Sequence, residues 1–173
     1  MEVLTDLVGQ ERAFTPLAPH LRDQLRRVPP SRDHLMKYRP CRVVLRNSTV
    51  LERVYVAEAA AYVRAWEVWP EEPVPATEVV RIEERPWRLP ARLADKMYAA
   101  GGTAMGGCLF VVVAPDGRRY ACETGNAVDF PGLPEGVDPR GLVDLLPHEG
   151  RDAARLPPLD YRWCLYARSV RRT

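Results

Sequence analysis

Lysine is almost missing from this sequence. Lys37 and Lys96 stand against 23 arginines, a compositional bias that is not read as phosphate recognition. No apolar run approaches the ~20 residues that a membrane-spanning helix needs, so no membrane association is expected. The opening "MEVLTDLVGQER" lacks the basic-then-apolar order of a secretory signal, and the expectation is a cytoplasmic protein. Cysteine is sparse and scattered, at Cys41, Cys108, Cys122 and Cys164. No CxxC and no Cys/His pair has zinc-ligand spacing. The expected metal set is therefore none, the expected cofactor is none, and the thiols read as small buried hydrophobes. Repeats, low-complexity tracts and the GxSxG nucleophile motif are absent too.

What is present is ordinary for a globular chain: 173 residues, 46% hydrophobic and 28% charged. That length suits one domain with a real core, and the expectation is a single domain over 1–173, with residues 1–40 a helical extension packed on it. Net charge is only +2, but it is unevenly distributed. Nine basic residues face two acidic ones between Arg12 and Arg46, and six face two from Arg151 to Thr173. The middle, Asn47 to Gly150, carries ten basic against sixteen acidic residues.

Periodicity divides the chain. "PLAPHLRDQLRRVPP" puts Leu17, Leu21, Leu25 and Val28 on one helical face, and Ser31 is placed to cap a short turn before Pro40. The β-branched runs Arg42–Leu45 and Val50–Val56 flank Asn47-Ser48 as a hairpin. The alternation at Tyr62–Trp69 predicts a strand, as does "EVVRIEER". "RPWRLPARLADKMYAAGG" predicts the main helix, with Leu89, Leu93, Met97 and Ala100 on one stripe. "CLFVVVA" and "RYACET", joined by "APDGRR", read as a central hairpin. Asp138-Pro139 is expected to start a short helix through Leu146, and "DYRWCLYARS" to form a half-exposed strand near a sheet edge. Helices do not alternate with strands. The expected class is therefore α+β: a strongly bent, mostly antiparallel sheet of six or seven strands, possibly a partly open barrel, on one main helix, with an N-terminal amphipathic helix.

Three motifs invite chemistry. "GGTAMGGC", Gly101 to Cys108, nearly fits the phosphate loop GxxxxGK[ST], but Gly107 and Cys108 replace its lysine and hydroxyl. A helix also leads into it and a strand leads out, the reverse of a phosphate loop. It is read as a joint, with positive φ at Gly101 or Gly102 and no anion there. "ETGNAVDF" offers Glu123, Asn126 and Asp129 on a loop presented by the central hairpin. "LPHEGR" places His148 beside Glu149, a pairing that can serve as a general base. The catalytic candidates are His148, Glu149 and Asp129.

The tryptophans suggest binding instead. Trp66, Trp69, Trp87 and Trp163 are interleaved with arginines such as Arg64, Arg85, Arg88 and Arg162, the composition of protein interface hot spots. The binding candidates are Asn126, Asp129, Trp66, Trp69, Trp87 and Arg88. The leading expectation is a non-catalytic protein-interaction module, an accessory subunit or neutralising partner, that meets another protein through an Arg/Trp surface. Its alternative is a small enzyme or small-ligand binder using the 123–129 loop with His148 and Glu149. Nucleic-acid binding through "LRDQLRR" and "SVRRT" is less favoured, because the acidic middle interrupts a basic groove.

Overall fold

The computed structural model describes residues 1–33, 36–104 and 106–169. Along the chain run β1 (Glu2–Thr5), β2 (Glu11–Phe14), α1 (Pro19–Arg27), β3 (Ser31–Asp33), β4 (Met36–Leu45) and β5 (Val50–Glu58). They are followed by α2 (Ala59–Trp66), β6 (Val74–Pro75), β7 (Val79–Glu84) and α3 (Ala91–Ala100). The last strands are β8 (Cys108–Val113), β9 (Arg119–Thr124), β10 (Asp144–Pro147) and β11 (Arg162–Tyr166). This is a mixed α+β protein with three helices and three sheets, mostly antiparallel, none of them closed among the described residues. No helix among those residues is long and apolar enough to cross a membrane.

The chain divides into two compact units. The first comprises 1–30, 35–85 and 161–173, and the second comprises 31–34 and 86–160.

In the first unit the strands run β7-β4-β5-β11-β6. β4 and β5 form the expected hairpin, and Ser48 takes the turn's positive φ of 68°. Leu17, Leu21, Leu25 and Val28 are buried with Val43, Val54, Val56 and Ile82 in one apolar cluster; of these four, Leu21 and Leu25 lie within α1, with Leu17 before it and Val28 at its C-cap. The first forty residues are not all helical, however. β1 and β2 form an antiparallel hairpin around a turn in which Asp6 Oδ1 accepts from Val8 N at 3.1 Å and Gln10 N at 2.7 Å.

Two further expectations for this unit are corrected. The strand expected at Tyr62–Trp69 is helix α2, ending at Glu67 with φ 66°. Three consecutive alanines start it, and Tyr62 and Trp66, four residues apart, stack with centroids 5.8 Å apart and planes at 8°. The final strand lies near a sheet edge, as expected, but is not half-exposed. β11 lies between β5 and β6, parallel to both, with Trp163, Cys164 and Leu165 all buried. A strand covered on both faces loses its alternation.

The second unit is built on a three-stranded antiparallel sheet, β10-β8-β9. α3 packs Leu93, Ala94 and Met97 into a core with Phe110, Val112, Cys122 and Leu145. The expected helix over Asp138–Leu146 is one short 3-10 turn, Pro139–Gly141, followed by β10. Asp138 does cap it, accepting from Arg140 N at 2.9 Å. The chain then leaves the turn so that Leu145 can sit fully buried beside β8. Ser31 caps no turn either, because its hydroxyl is committed elsewhere in this unit.

Candidate functional site

The glycine stretch is a joint. Gly101 has φ 79° and ψ 174°, a region open in practice to glycine alone. Its amide donates back to Met97 O and Tyr98 O, closing α3. The amides of Thr103 and Ala104 then donate to Gly107 O at 3.0 and 3.3 Å, and Gly107 N returns to Ala104 O at 3.2 Å. These N–H groups are spent inside the turn, whereas a phosphate cradle would turn them outward.

Asp129 is fully buried. One carboxylate oxygen accepts from Ser31 Oγ at 2.7 Å, and the other accepts from Tyr98 OH at 2.7 Å. Arg88, itself 4% exposed, reaches the first oxygen at 3.8 Å. The backbone adds two bonds, Leu89 N to Asp129 O at 2.9 Å and Val128 N to Tyr98 OH at 3.1 Å. A buried charge is tolerable when paired and hydrogen-bonded in this way. The arrangement ties β3, α3 and the loop after β9 together, with the carboxylate fully buried. Arg88, expected on a binding surface, is part of this hub. Asn126, on the same loop, is half-buried.

His148 also has structural duties. Its Nε2 lies 3.2 Å from Ala100 O, the last carbonyl of α3, and must donate there. In the neutral ring Nδ1 then accepts from Thr103 Oγ1 at 2.9 Å, while that oxygen accepts from Leu109 N at 2.9 Å. The imidazole therefore fastens the end of α3 to the start of β8. Glu149 turns the other way and pairs with Arg119 at 2.6 Å on the surface. The His148-Glu149 neighbours do not hydrogen-bond each other, and the described hydrogen bonds bring neither of them to Asp129.

The thiols are buried throughout. Burial pushes Cys122 and Cys164 up to about 12 and raises Cys108 as well, so they hold their protons at neutral pH. Cys108 and Cys122 are not direct cross-strand partners, since Cys122 faces Phe110 and Cys108 faces Thr124. Among the described residues no three His, Cys, Asp or Glu side chains come together to hold a metal.

The aromatic candidates separate by burial. In the first unit Trp163 is the hub of a cluster with Tyr38, Tyr55, Tyr62, Trp66 and Tyr161, at centroid distances of 4.9 to 6.3 Å. Trp69 packs on Phe14 at 5.0 Å, and its indole N–H donates to Gln10 O at 2.8 Å. In the second unit Trp87 is 46% exposed. The Arg140 guanidinium lies 4.8 Å from its ring centroid. Asp138 accepts from that guanidinium through both carboxylate oxygens, Oδ2 at 2.7 Å and Oδ1 at 3.0 Å. Of the basic segment "SVRRT", residues 170–173 lie outside the described residues, as does His34.

One concavity in the second unit went unread in the sequence. It opens at the glycine end of the β8–β9 hairpin and has a volume of 550 Å³. Glu123, Thr124 and Gly125 from the anticipated loop form part of its lining, together with Gly106 and Gly107. Arg151, Arg155 and Pro158 line it as well. The chain carrying them is held to β9, because Glu123 N donates to Leu156 O at 2.9 Å and Leu156 N to Ala121 O at 2.8 Å. The available signal was two arginines four residues apart just after "LPHEG", but the approach of Arg155 to Glu123 at 3.5 Å depends on that non-local pairing.

Comparison with known protein families, with curated proteins and with solved structures returned no significant match.

Proposed function

We propose that the protein is a non-catalytic interaction module that binds another protein through the Trp87–Arg140 face of its second unit. The observation that carries this reading is the exposed indole of Trp87 under a guanidinium fixed by Asp138. Tryptophan and arginine dominate interface hot spots, because each combines a large contact area with directional donors. A side chain already held in place loses little rotamer freedom on binding, so more of its contact energy appears as affinity. The other side chains considered for chemistry have internal tasks: Asp129 in its hub, His148 at the end of α3, Glu149 on Arg119.

The experiment is affinity capture from native lysate at physiological salt with the full chain and its Trp87→Ala variant. A partner recovered stoichiometrically by the parent and depleted by the variant supports the reading. Elution of the protein only as a free monomer, or equal capture by both, overturns it.

A further inference from the structure

We propose that the groove at the open end of the β8–β9 hairpin binds a small organic oxyanion, a molecule carrying a carboxylate or phosphate. The site is independent of the Trp87 face. Its volume of 550 Å³ lies within the range of small-molecule sites.

The charge arrangement supplies the selectivity. Arg151 lines the groove, is exposed and makes no ion pair among the described residues. Arg155 meets Glu123 at 3.5 Å, with both side chains well exposed. An exposed pair of that length is worth little, so an incoming oxyanion competes for Arg155 at small cost. A guanidinium fork can pair with two oxygens of a carboxylate or phosphate at once, and two such residues line the groove. Glu123 gives the groove polarity, because its carboxylate repels a second negative charge and directs the oxyanion end toward Arg151.

The remaining lining suits a carbon skeleton. Leu109, Ala104 and Pro158 are apolar. Thr124 cannot serve as a donor while its hydroxyl proton is given to Gly125 O at 3.0 Å. Gly106 leaves space, since a Cβ there would meet nothing within 4 Å. Thr103 lines the groove and its hydroxyl is bonded to His148 at 2.9 Å, so its position is set before any ligand arrives.

The test is calorimetric titration of the purified full chain with inorganic phosphate, glycerol phosphate and citrate at low and physiological salt. The expected result is saturable one-to-one binding of at least one probe, weakening with salt. Arg151→Ala and Arg155→Ala should each lower affinity at least about ten-fold, with thermal unfolding unchanged because both side chains are exposed. Arg168→Ala, an exposed arginine of the first unit, should leave binding intact. Preference for the phosphates or for citrate identifies which oxyanion the site takes. Absence of saturable binding to about 10 mM of every probe, or equal binding by Arg151→Ala, overturns the proposal.

Discussion

Tyr98, in the last turn of α3, donates its phenolic proton to Asp129 across 2.7 Å and accepts from Val128 N at 3.1 Å. One hydroxyl thus satisfies a buried carboxylate and a backbone amide together. Tyr98→Phe leaves both without that partner, and an orphaned buried group costs about 1–3 kcal/mol. Asp129→Ala goes further, stripping the Ser31 hydroxyl and the buried Arg88 of their carboxylate. Breaking a buried pair from one side costs about 3–5 kcal/mol. Urea unfolding should order the stabilities as parent, Tyr98→Phe, Asp129→Ala. A parent-like midpoint for Asp129→Ala would show that the hub is dispensable.

Gly132 sits where the chain after Phe130 runs against the segment after Leu156. Its amide donates to Pro157 O at 3.0 Å, and a Cβ built on it would stand 2.2 Å from that same carbonyl oxygen. The obstacle is backbone, so no rotamer change relieves it. Gly132→Ala should therefore cost at least the ~1–3 kcal/mol typical of overpacking, read as a lower thermal midpoint. Gly106→Ala is the informative contrast. It meets no neighbour within 4 Å and is strained only through its φ of 79°, so its cost should be the smaller of the two.

Alkaline pH should destabilise the protein through groups that burial keeps neutral. Cys164 is raised from 9.0 to about 12, and Tyr62 and Tyr166 from 10.0 to about 12, with desolvation the leading cause. In the unfolded chain these groups ionise near their ordinary values, while the folded chain holds their protons longer. Stability from this source is intact below about pH 9 and is lost as the pH climbs toward about 12. Urea midpoints at pH 7, 9 and about 10.5 should be similar for the first two and lower for the third. A flat profile to about pH 11 would contradict the assignment.

Local pattern carried a good part of this architecture. The β8–β9 hairpin, α3 and the positive φ of Gly101 follow from residues within a few positions of each other. Distance along the chain is where legibility ended. Ser31 and Asp129 lie 98 residues apart, and nothing near either residue announces the bond. Asp129 looked like a loop ligand because it shares the loop after the central hairpin with Glu123 and Asn126, yet its environment is set by Ser31, Tyr98 and Arg88. The last strand was expected to be half-exposed, but Trp163 is covered by an aromatic cluster drawn from distant parts of the chain, and Cys164 and Leu165 beside it are buried too. Tyr62–Trp69 was ambiguous in itself, since eight residues of mixed pattern fit either period, and the Tyr62–Trp66 stack belongs to the helical one. The oxyanion groove was half legible. Glu123, Thr124 and Gly125 were on the loop singled out, and the two lining arginines were not.

The Trp87–Arg140 face is the centre of the functional reading, and titration of the partner captured by the full chain tests it most directly. Binding should be compared between the parent, Trp87→Ala, Arg140→Ala and, as an exposed apolar control in the first unit, Val50→Ala. The account predicts losses of about 30-fold or more for Trp87→Ala, the scale of a hot-spot residue, and a smaller loss for Arg140→Ala. Val50→Ala should bind as the parent does. Parent-like affinity for Trp87→Ala, in a variant with unchanged stability, would contradict the account.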